Sequence, residues 1–77
     1  MNVKIISPEK IIYEGESTLL KLPGVSGSFE ILKNHAPIIS VLSKGNIKLV
    51  ANNQELLFPI NSGVIECSNN NIQILIQ

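Results

Sequence analysis

Short runs in which apolar and polar residues alternate follow one another along the whole chain. The apolar members of these runs are Val3 and Ile5; Leu20 and Leu22; Ile47, Leu49 and Ala51; Leu56, Phe58 and Ile60; and Ile72, Ile74 and Ile76. Because successive side chains of a strand point to opposite faces, each run predicts a strand with one buried face. No stretch of ten or more residues keeps a 3.6-residue apolar period without a Gly, Pro or Asn. The pattern therefore predicts no helix longer than two turns.

Turn-forming residues separate these runs at close intervals. Asn52-Asn53 stands between two alternating runs and predicts a hairpin turn, since Asn tolerates positive φ. Regularly spaced short strands with such turns are typical of an all-β sandwich or barrel. We expect a single domain, residues 1–77, built as two antiparallel sheets that pack at about 10 Å.

The alternating runs contain more apolar residues than their inward-facing positions can hold. All four of Ile38, Ile39, Val41 and Leu42 are apolar although they alternate in direction, and Leu19, Val50, Leu57 and Leu75 fall opposite the main apolar face of their strands. A sandwich has one interior, so these side chains cannot all be buried in it. Two interpretations stay open: sheet edges and ends cover them, since singly exposed apolar residues are ordinary, or a partner chain covers them.

Composition narrows the function classes. The chain has six Lys and six Glu with no Arg and no Asp, which argues against a basic nucleic-acid surface. The few aromatic residues are Tyr13, Phe29 and Phe58, and we expect both Phe side chains to lie mostly in the core, which leaves little for bases to stack on. Cys67 is alone, so it predicts a reduced, packed thiol and no internal disulfide. No apolar run approaches the roughly 20 residues of a membrane-spanning helix.

The sequence contains no convincing set of catalytic residues. Cys67 and His35 are separated in sequence with no Asp to orient them, and Glu14 and Glu16 are more typical of a solvated strand edge than of an acid–base pair. One His, one Cys and scattered Glu lack metal-ligand spacing. The Gly24–Gly27 loop is too short to cradle a phosphate. We predict no catalytic, cofactor-binding or metal-binding residues.

The stretch from Gly27 to Pro37 contains the only His of the chain, in the turn Asn34-His35-Ala36-Pro37. Its role is either that of a packed turn residue or that of a contact on a partner surface, because loops often carry binding. The Gly27, Ile31 and His35-Ala36-Pro37-Ile38 positions are followed by Leu42-Ser43-Lys44-Gly45-Asn46-Ile47 and by Ser62-Gly63-Val64-Ile65-Glu66. With this spacing, nearly the whole chain resembles the N-terminal β-domain of the epsilon subunit of F-type ATP synthases.

The resemblance implies a flattened two-sheet antiparallel sandwich of about ten short strands and a non-catalytic role in the central stalk. The implied partners are the gamma subunit and the c-ring, within a complex whose alpha–beta hexamer performs the catalysis. The residues expected at the c-ring are Ser26, Gly27, Ser28, Phe29, Glu30, Lys33 and Asn34. Those expected at gamma are Ser7, His35, Ile39, Ser40 and Val41. No nucleic acid is implied, and membrane contact is expected only through the c-ring.

The chain departs from the family pattern in two places. The family often carries a Glu where Ser28 stands and a Gly where Glu30 stands, which moves the carboxylate by two residues along one strand face. The family also usually continues into a C-terminal helical hairpin, whereas this chain ends at Gln77, so we expect no inhibitory or nucleotide-sensing activity. The start at Met1 and the absence of a transit segment favour a bacterial protein, peripheral on the cytoplasmic face of the inner membrane, over an organelle-encoded one. The alternative is a small β-domain that serves as an interaction module in another multisubunit assembly.

Overall fold

The computed structural model describes all residues, 1–77, as nine strands joined by short turns. In chain order the strands are β1 (Asn2–Ile6), β2 (Ile11–Glu16), β3 (Leu19–Gly24), β4 (Gly27–Leu32), β5 (Ile38–Leu42), β6 (Gly45–Ala51), β7 (Gln54–Ile60), β8 (Gly63–Ser68) and β9 (Asn71–Ile76). The fold contains no helix with the length and apolar character needed to cross a membrane.

The strands form two layers. Sheet one has the order β2-β1-β9-β8-β5, and sheet two has the order β4-β3-β6-β7. A single residue pair, Gly24 with Leu42, links β3 to β5 and makes the two layers continuous. All pairings are antiparallel except that of β1 with β9, which is parallel. The structure confirms the predicted all-β sandwich; it has nine strands where about ten were expected, and the parallel pair was not foreseen.

The core lies between the two sheets and is built by the predicted alternation. Its buried apolar residues are Val3, Ile5, Leu20, Leu22, Ile31, Leu42, Ile47, Leu49, Ile60, Ile65, Cys67, Ile72, Ile74 and Ile76. Phe29 and Phe58 are half-buried and pack against this cluster. Leu56 belongs to the inward set by register, opposite Leu49, but it remains partly exposed because β7 is an edge strand.

The turn chemistry is that expected of Asn residues. Asn52 and Asn53 have φ of 52° and 61° in the β6–β7 hairpin, which confirms the predicted turn. Asn69 and Asn70 have φ of 51° and 62° in the β8–β9 hairpin. Two successive residues with positive φ produce a turn whose twist matches that of the strands.

Ser17 is the one buried polar side chain, and it lies where the chain passes from β2 in sheet one to β3 in sheet two. Its hydroxyl lies 2.9 Å from the carbonyl oxygens of both Leu19 and Val50, and it accepts a hydrogen bond from the Leu19 amide at 3.2 Å. The buried hydroxyl is therefore satisfied, and it fixes the crossover between the layers.

Candidate interaction surface

The outer face of sheet one carries a continuous line of apolar side chains. Strand register places Val41 opposite Val64, Val64 opposite Leu75, Leu75 beside Ile6, and Ile6 opposite Ile11. We call these five residues the apolar row. Four of them expose between 41% and 54% of their surface, and Ile6 is half-buried. The row crosses every strand of sheet one without a polar interruption.

Strict alternation in β8 and β9 explains why the row is on the surface. The inward positions of these strands are filled by buried residues, including Ile65 and Ile74, so Val64 and Leu75 between them must point outward. On β2 a register shift next to Ile6 lets Ile12 and Tyr13 pack against the core while Ile11 stays exposed. The row therefore consists of apolar residues that the alternation of each strand directs away from the core.

A second row runs beside the first and is mostly polar. Register aligns Ile39, Glu66, Gln73, Lys4 and Glu14 across the same five strands, and we call these residues the polar row. Ile39 stands at its β5 end and is 74% exposed, more than any other large apolar side chain. The ion pairs of the molecule are Met1 amino group with Glu16 and Lys48 with Glu55, so Lys4 has no carboxylate within 4.0 Å.

The residues expected at the c-ring lie along one edge of sheet two. β4 pairs only with β3, and Ser28 and Glu30 share its outward face, as the two-residue shift of the carboxylate requires. Ser26 is in the hairpin tip before β4, and Gly27 has a φ of 124°, a conformation that L side chains rarely adopt. Phe29 differs from its neighbours because it packs inward against the core.

Lys33 and Asn34 lie at the other end of β4, about 20 Å of strand away from the hairpin tip. Asn34 has a φ of 67°, its amide donates to Asn70 Oδ1 at 2.7 Å, and Asn70 Nδ2 donates to Asn34 Oδ1 at 3.0 Å. This reciprocal amide pair holds the loop against the β8–β9 turn. The predicted c-ring residues therefore form an extended edge with two separate ends.

The residues expected at gamma fall on three parts of the molecule. Ile39 and Val41 lie together on the outer face of sheet one, whereas Ser40 faces the other way, opposite the buried Ile65. Ser7 follows the end of β1, three strands away from β5. His35 is half-buried in the loop before β5, with Nδ1 at 2.7 Å from the Ala36 carbonyl oxygen.

Sequence reasoning missed part of this surface. Ile6, Ile11 and Val64 were not expected to be surface apolar residues, and Leu75 was identified as surplus but assigned to no site. The surplus pattern was the available signal, because Val64 and Leu75 each alternate with inward-facing neighbours. What the sequence did not supply was the register, which brings residues of five different strands into one line.

The side chains with catalytic potential remain apart from this surface. Cys67 is a free, buried thiol on the inner side of sheet one, as predicted for a packed residue. Burial raises the pKa of the Cys67 thiol, which keeps it protonated and poorly nucleophilic. No group of three or more His, Cys, Asp or Glu side chains converges closely enough to hold a metal ion.

Comparison with known protein families gives a match over the whole chain. The sequence profile described as "ATP synthase, Delta/Epsilon chain, beta-sandwich domain" matches residues 1–77. A protein named ATP synthase epsilon chain from Leptospira borgpetersenii is 40% identical over 75 residues, which are 97% of this chain and 59% of that protein. One of the same name from Chlorobium limicola is 36% identical over 72 residues, 92% of this chain and 82% of that protein.

Solved structures share the fold. A chain in the cryo-EM structure of the Tetrahymena thermophila mitochondrial ATP synthase central stalk and c-ring superposes with a TM-score of 0.84 at 17% identity. The match covers 99% of this chain and 62% of that chain. A chain in the Euglena gracilis mitochondrial ATP synthase OSCP/F1/c-ring structure gives 0.90 at 12% identity, over 96% of this chain and 48% of that one. The chain thus spans a little over half the length of several of the proteins it matches.

Proposed function

Because this chain belongs to the ATP synthase delta/epsilon family, whose β-sandwich domain it matches over residues 1–77, we propose that it is a non-catalytic subunit of the ATP synthase rotor. Its role is to dock on the gamma subunit and on the c-ring, so that ring rotation is coupled to ATP synthesis in the alpha–beta hexamer. The epsilon chains from Leptospira and Chlorobium are bacterial, and we place this chain at the cytoplasmic face of a bacterial inner membrane, peripheral to it.

The apolar row is the observation that carries this proposal. A small domain that directs one apolar residue outward on each strand of a five-stranded sheet, four of them exposed, presents a surface suited to permanent burial against another chain. Burial of an exposed Val or Leu stabilises a complex by about 1.5–3 kcal/mol. We assign gamma to this face. Ile39 and Val41 are its β5 contacts, and Ser7 and His35 are contacts at its margins, whereas Ser40 would act by supporting β5 from behind.

The c-ring contact is assigned to the other predicted set, along β4. The hairpin tip from Ser26 to Ser28 and the outward carboxylate of Glu30 are exposed, and Lys33 and Asn34 extend the contact beyond the strand. The exposed backbone edge of β4 supplies additional hydrogen-bonding groups for loops of the ring. Phe29 supports this edge from the core side.

Ile39→Glu tests the proposal, with Leu57→Glu as the matched control. Leu57 is 59% exposed on the outer face of sheet two, so both changes place a carboxylate where solvent reaches it. Both variants should melt within a few degrees of the wild type. In membrane vesicles that carry the assembled enzyme, Ile39→Glu should lower ATP synthesis driven by a proton gradient, because an unpaired charge would be desolvated at the interface. Leu57→Glu should leave synthesis unchanged.

Co-purification separates this function from the alternative interaction module. The tagged chain should bring gamma and c subunits, with alpha and beta, out of detergent-solubilised membranes. Recovery of a different assembly would contradict the proposal. Unchanged coupling in Ile39→Glu, with gamma still bound, would place the gamma interface on another face.

A further inference from the structure

The direction of the apolar row constrains what can bind to it. Its five side chains occur one per strand, so the row runs across the strands and not along any of them. Neighbouring strands are about 4.8 Å apart, so four intervals give a row about 19 Å long. A partner that buries the whole row must present apolar groups at a matching interval along one line.

A helix fits this interval better than an extended strand. One helical turn advances about 5.4 Å, so residues at i, i+3 or i+4, and i+7 meet successive strands of the sheet. Side chains on one face of a strand recur about every 6.6–6.8 Å and would move out of step with the row after two intervals. A helix needs about 13 residues to cover 19 Å, at about 1.5 Å per residue.

Charge distinguishes the two sides of the row. On one side lie Glu14 and Glu66 of the polar row, against the side-chain cation of Lys4, and Glu16 beyond them is paired with the Met1 amino group at 3.2 Å. On the other side, Ser62 and Gln77 continue β8 and β9 without charged side chains. The β1–β2 turn contributes one charge of each sign, from Glu9 and Lys10. The face is therefore acidic along one margin of the row only.

We propose that the apolar row receives one amphipathic helix of about 13 residues, lying across the strands of sheet one. The helix carries Lys or Arg on the flank that faces the polar row. The inference rests on the proposed function, in which the chain that supplies this helix is gamma. Ile39, at the β5 end of the polar row, adds an apolar contact beside one end of the helix.

Site-directed crosslinking tests the shape of the partner. Single cysteines are placed at Val41, Val64, Leu75 and Ile11 in a Cys67→Ala background and labelled with a benzophenone maleimide. The variants are assembled with purified gamma and irradiated, and the crosslinked gamma residues are identified by mass spectrometry. The expected sites advance in one direction along gamma by three or four residues per strand, about 13 in all from Val41 to Ile11.

The outcomes of this experiment separate the two proposals. Sites that advance by two residues, or that scatter over unrelated segments of gamma, overturn the helix while leaving the gamma interface standing. Failure of unlabelled wild-type chain to bind gamma overturns the proposed function itself. A cysteine at Leu57 in the same background is the control, and it should give no crosslink to gamma.

Charge neutralisation tests the basic flank. Glu14→Gln with Glu66→Gln removes two carboxylates beside the row, and Glu30→Gln with Glu55→Gln removes two from the outer face of sheet two. At low salt the first pair should slow association with purified gamma by on the order of tenfold, and the second pair should not. The difference should shrink in about 1 M salt, where the screening length is about 3 Å. Equal rates for both double variants, or faster association after loss of Glu14 and Glu66, would overturn the basic flank.

Discussion

The outer faces of the two sheets both carry apolar residues but arrange them differently. On sheet one they form the apolar row, which crosses five strands without a break. On sheet two, register aligns Leu32 with the half-buried Leu19 and Val50, and this shorter apolar line ends at Glu55. The neighbouring line of Glu30, Lys21, Lys48 and Leu57 is mostly charged. Lys48 also pairs with Glu55 at 3.2 Å.

This difference shows that the length of an apolar line across the strands distinguishes an interface from an ordinary surface. A short, partly buried apolar line flanked by charges is an ordinary component of a solvated surface. An apolar line that crosses all five strands of a sheet forms a patch that a partner can cover in one step. Away from the β4 edge, the outer face of sheet two is therefore suited to solvent, whereas the outer face of sheet one is suited to burial against a partner.

The two sheets should not differ on their inner faces, because both contribute to one core. Substitutions in that core test this and should have the largest effects. Ile74 in sheet one and Leu49 in sheet two are both fully buried. Ile74→Ala and Leu49→Ala should each lower the free energy of unfolding by about 2–5 kcal/mol, through lost burial and the cavity left behind. Urea denaturation of the isolated domain measures both. A cost below about 1 kcal/mol at either site would show that the two sheets do not share one core.

The joint between the sheets should give the next largest effect. A Cβ at Gly24 would lie 2.6 Å from the Gly27 carbonyl oxygen and 2.9 Å from Phe29 Cε1. Gly24→Ala should therefore destabilise the domain by about 1–3 kcal/mol, as overpacking does. Gly15→Ala in β2 is the milder comparison, since its Cβ would approach only side-chain atoms, the nearest being the Tyr13 hydroxyl at 3.1 Å. Thermal melting should show a clear loss for Gly24→Ala and a smaller one for Gly15→Ala.

Most of the fold, and a smaller part of the candidate site, could be predicted from the sequence. Alternation predicted the inward residues of β3, β6 and β9 because burial and period two reinforce each other there. The turn at Asn52-Asn53 was predictable because its chemistry is local. The parallel pairing of β1 with β9 was not predictable, since those strands lie at opposite ends of the chain and no local signal joins them. The apolar row was not predictable for the same reason, because it joins residues of five strands that are separate in the sequence.

Ser40 shows that the residues of a single strand do not always indicate which side of the strand is buried. Ile38, Ile39, Val41 and Leu42 are all apolar, so the pattern of β5 does not say which side of the strand faces the core. Pairing with β8 decides it by placing Ser40 opposite the buried Ile65, and Ile39 and Val41 outside. Individual contacts of β5 therefore depended on its neighbour and not on its own residues.

The pH dependence of stability should report on the inner side of sheet one. Burial raises the pKa of Cys67 in the folded state above its unfolded value, so the folded state holds the thiol proton to higher pH. Its contribution to stability is complete below the unfolded pKa, near 8.5, and is lost as pH rises through the folded pKa. Urea melts should show a steeper fall in stability above about pH 8.5 for the wild type than for Cys67→Ala. Parallel curves for the two proteins would contradict a buried, protonated thiol.

The smallest effect should come from the charges that differ between the two outer faces. Lys48 and Glu55 form an ion pair on sheet two, whereas Lys4 and Glu14 occupy opposed positions on sheet one without forming one. Because Lys48 and Glu55 are both substantially exposed, their coupling should be only about 0.2–1 kcal/mol in a double-mutant cycle of Gln substitutions, and salt should reduce it. The same cycle at Lys4 and Glu14 should give a smaller value in the isolated domain. A larger coupling at Lys4 would show that its charge is already satisfied within the fold, which would leave the acidic margin weaker and remove part of the reason for a basic partner.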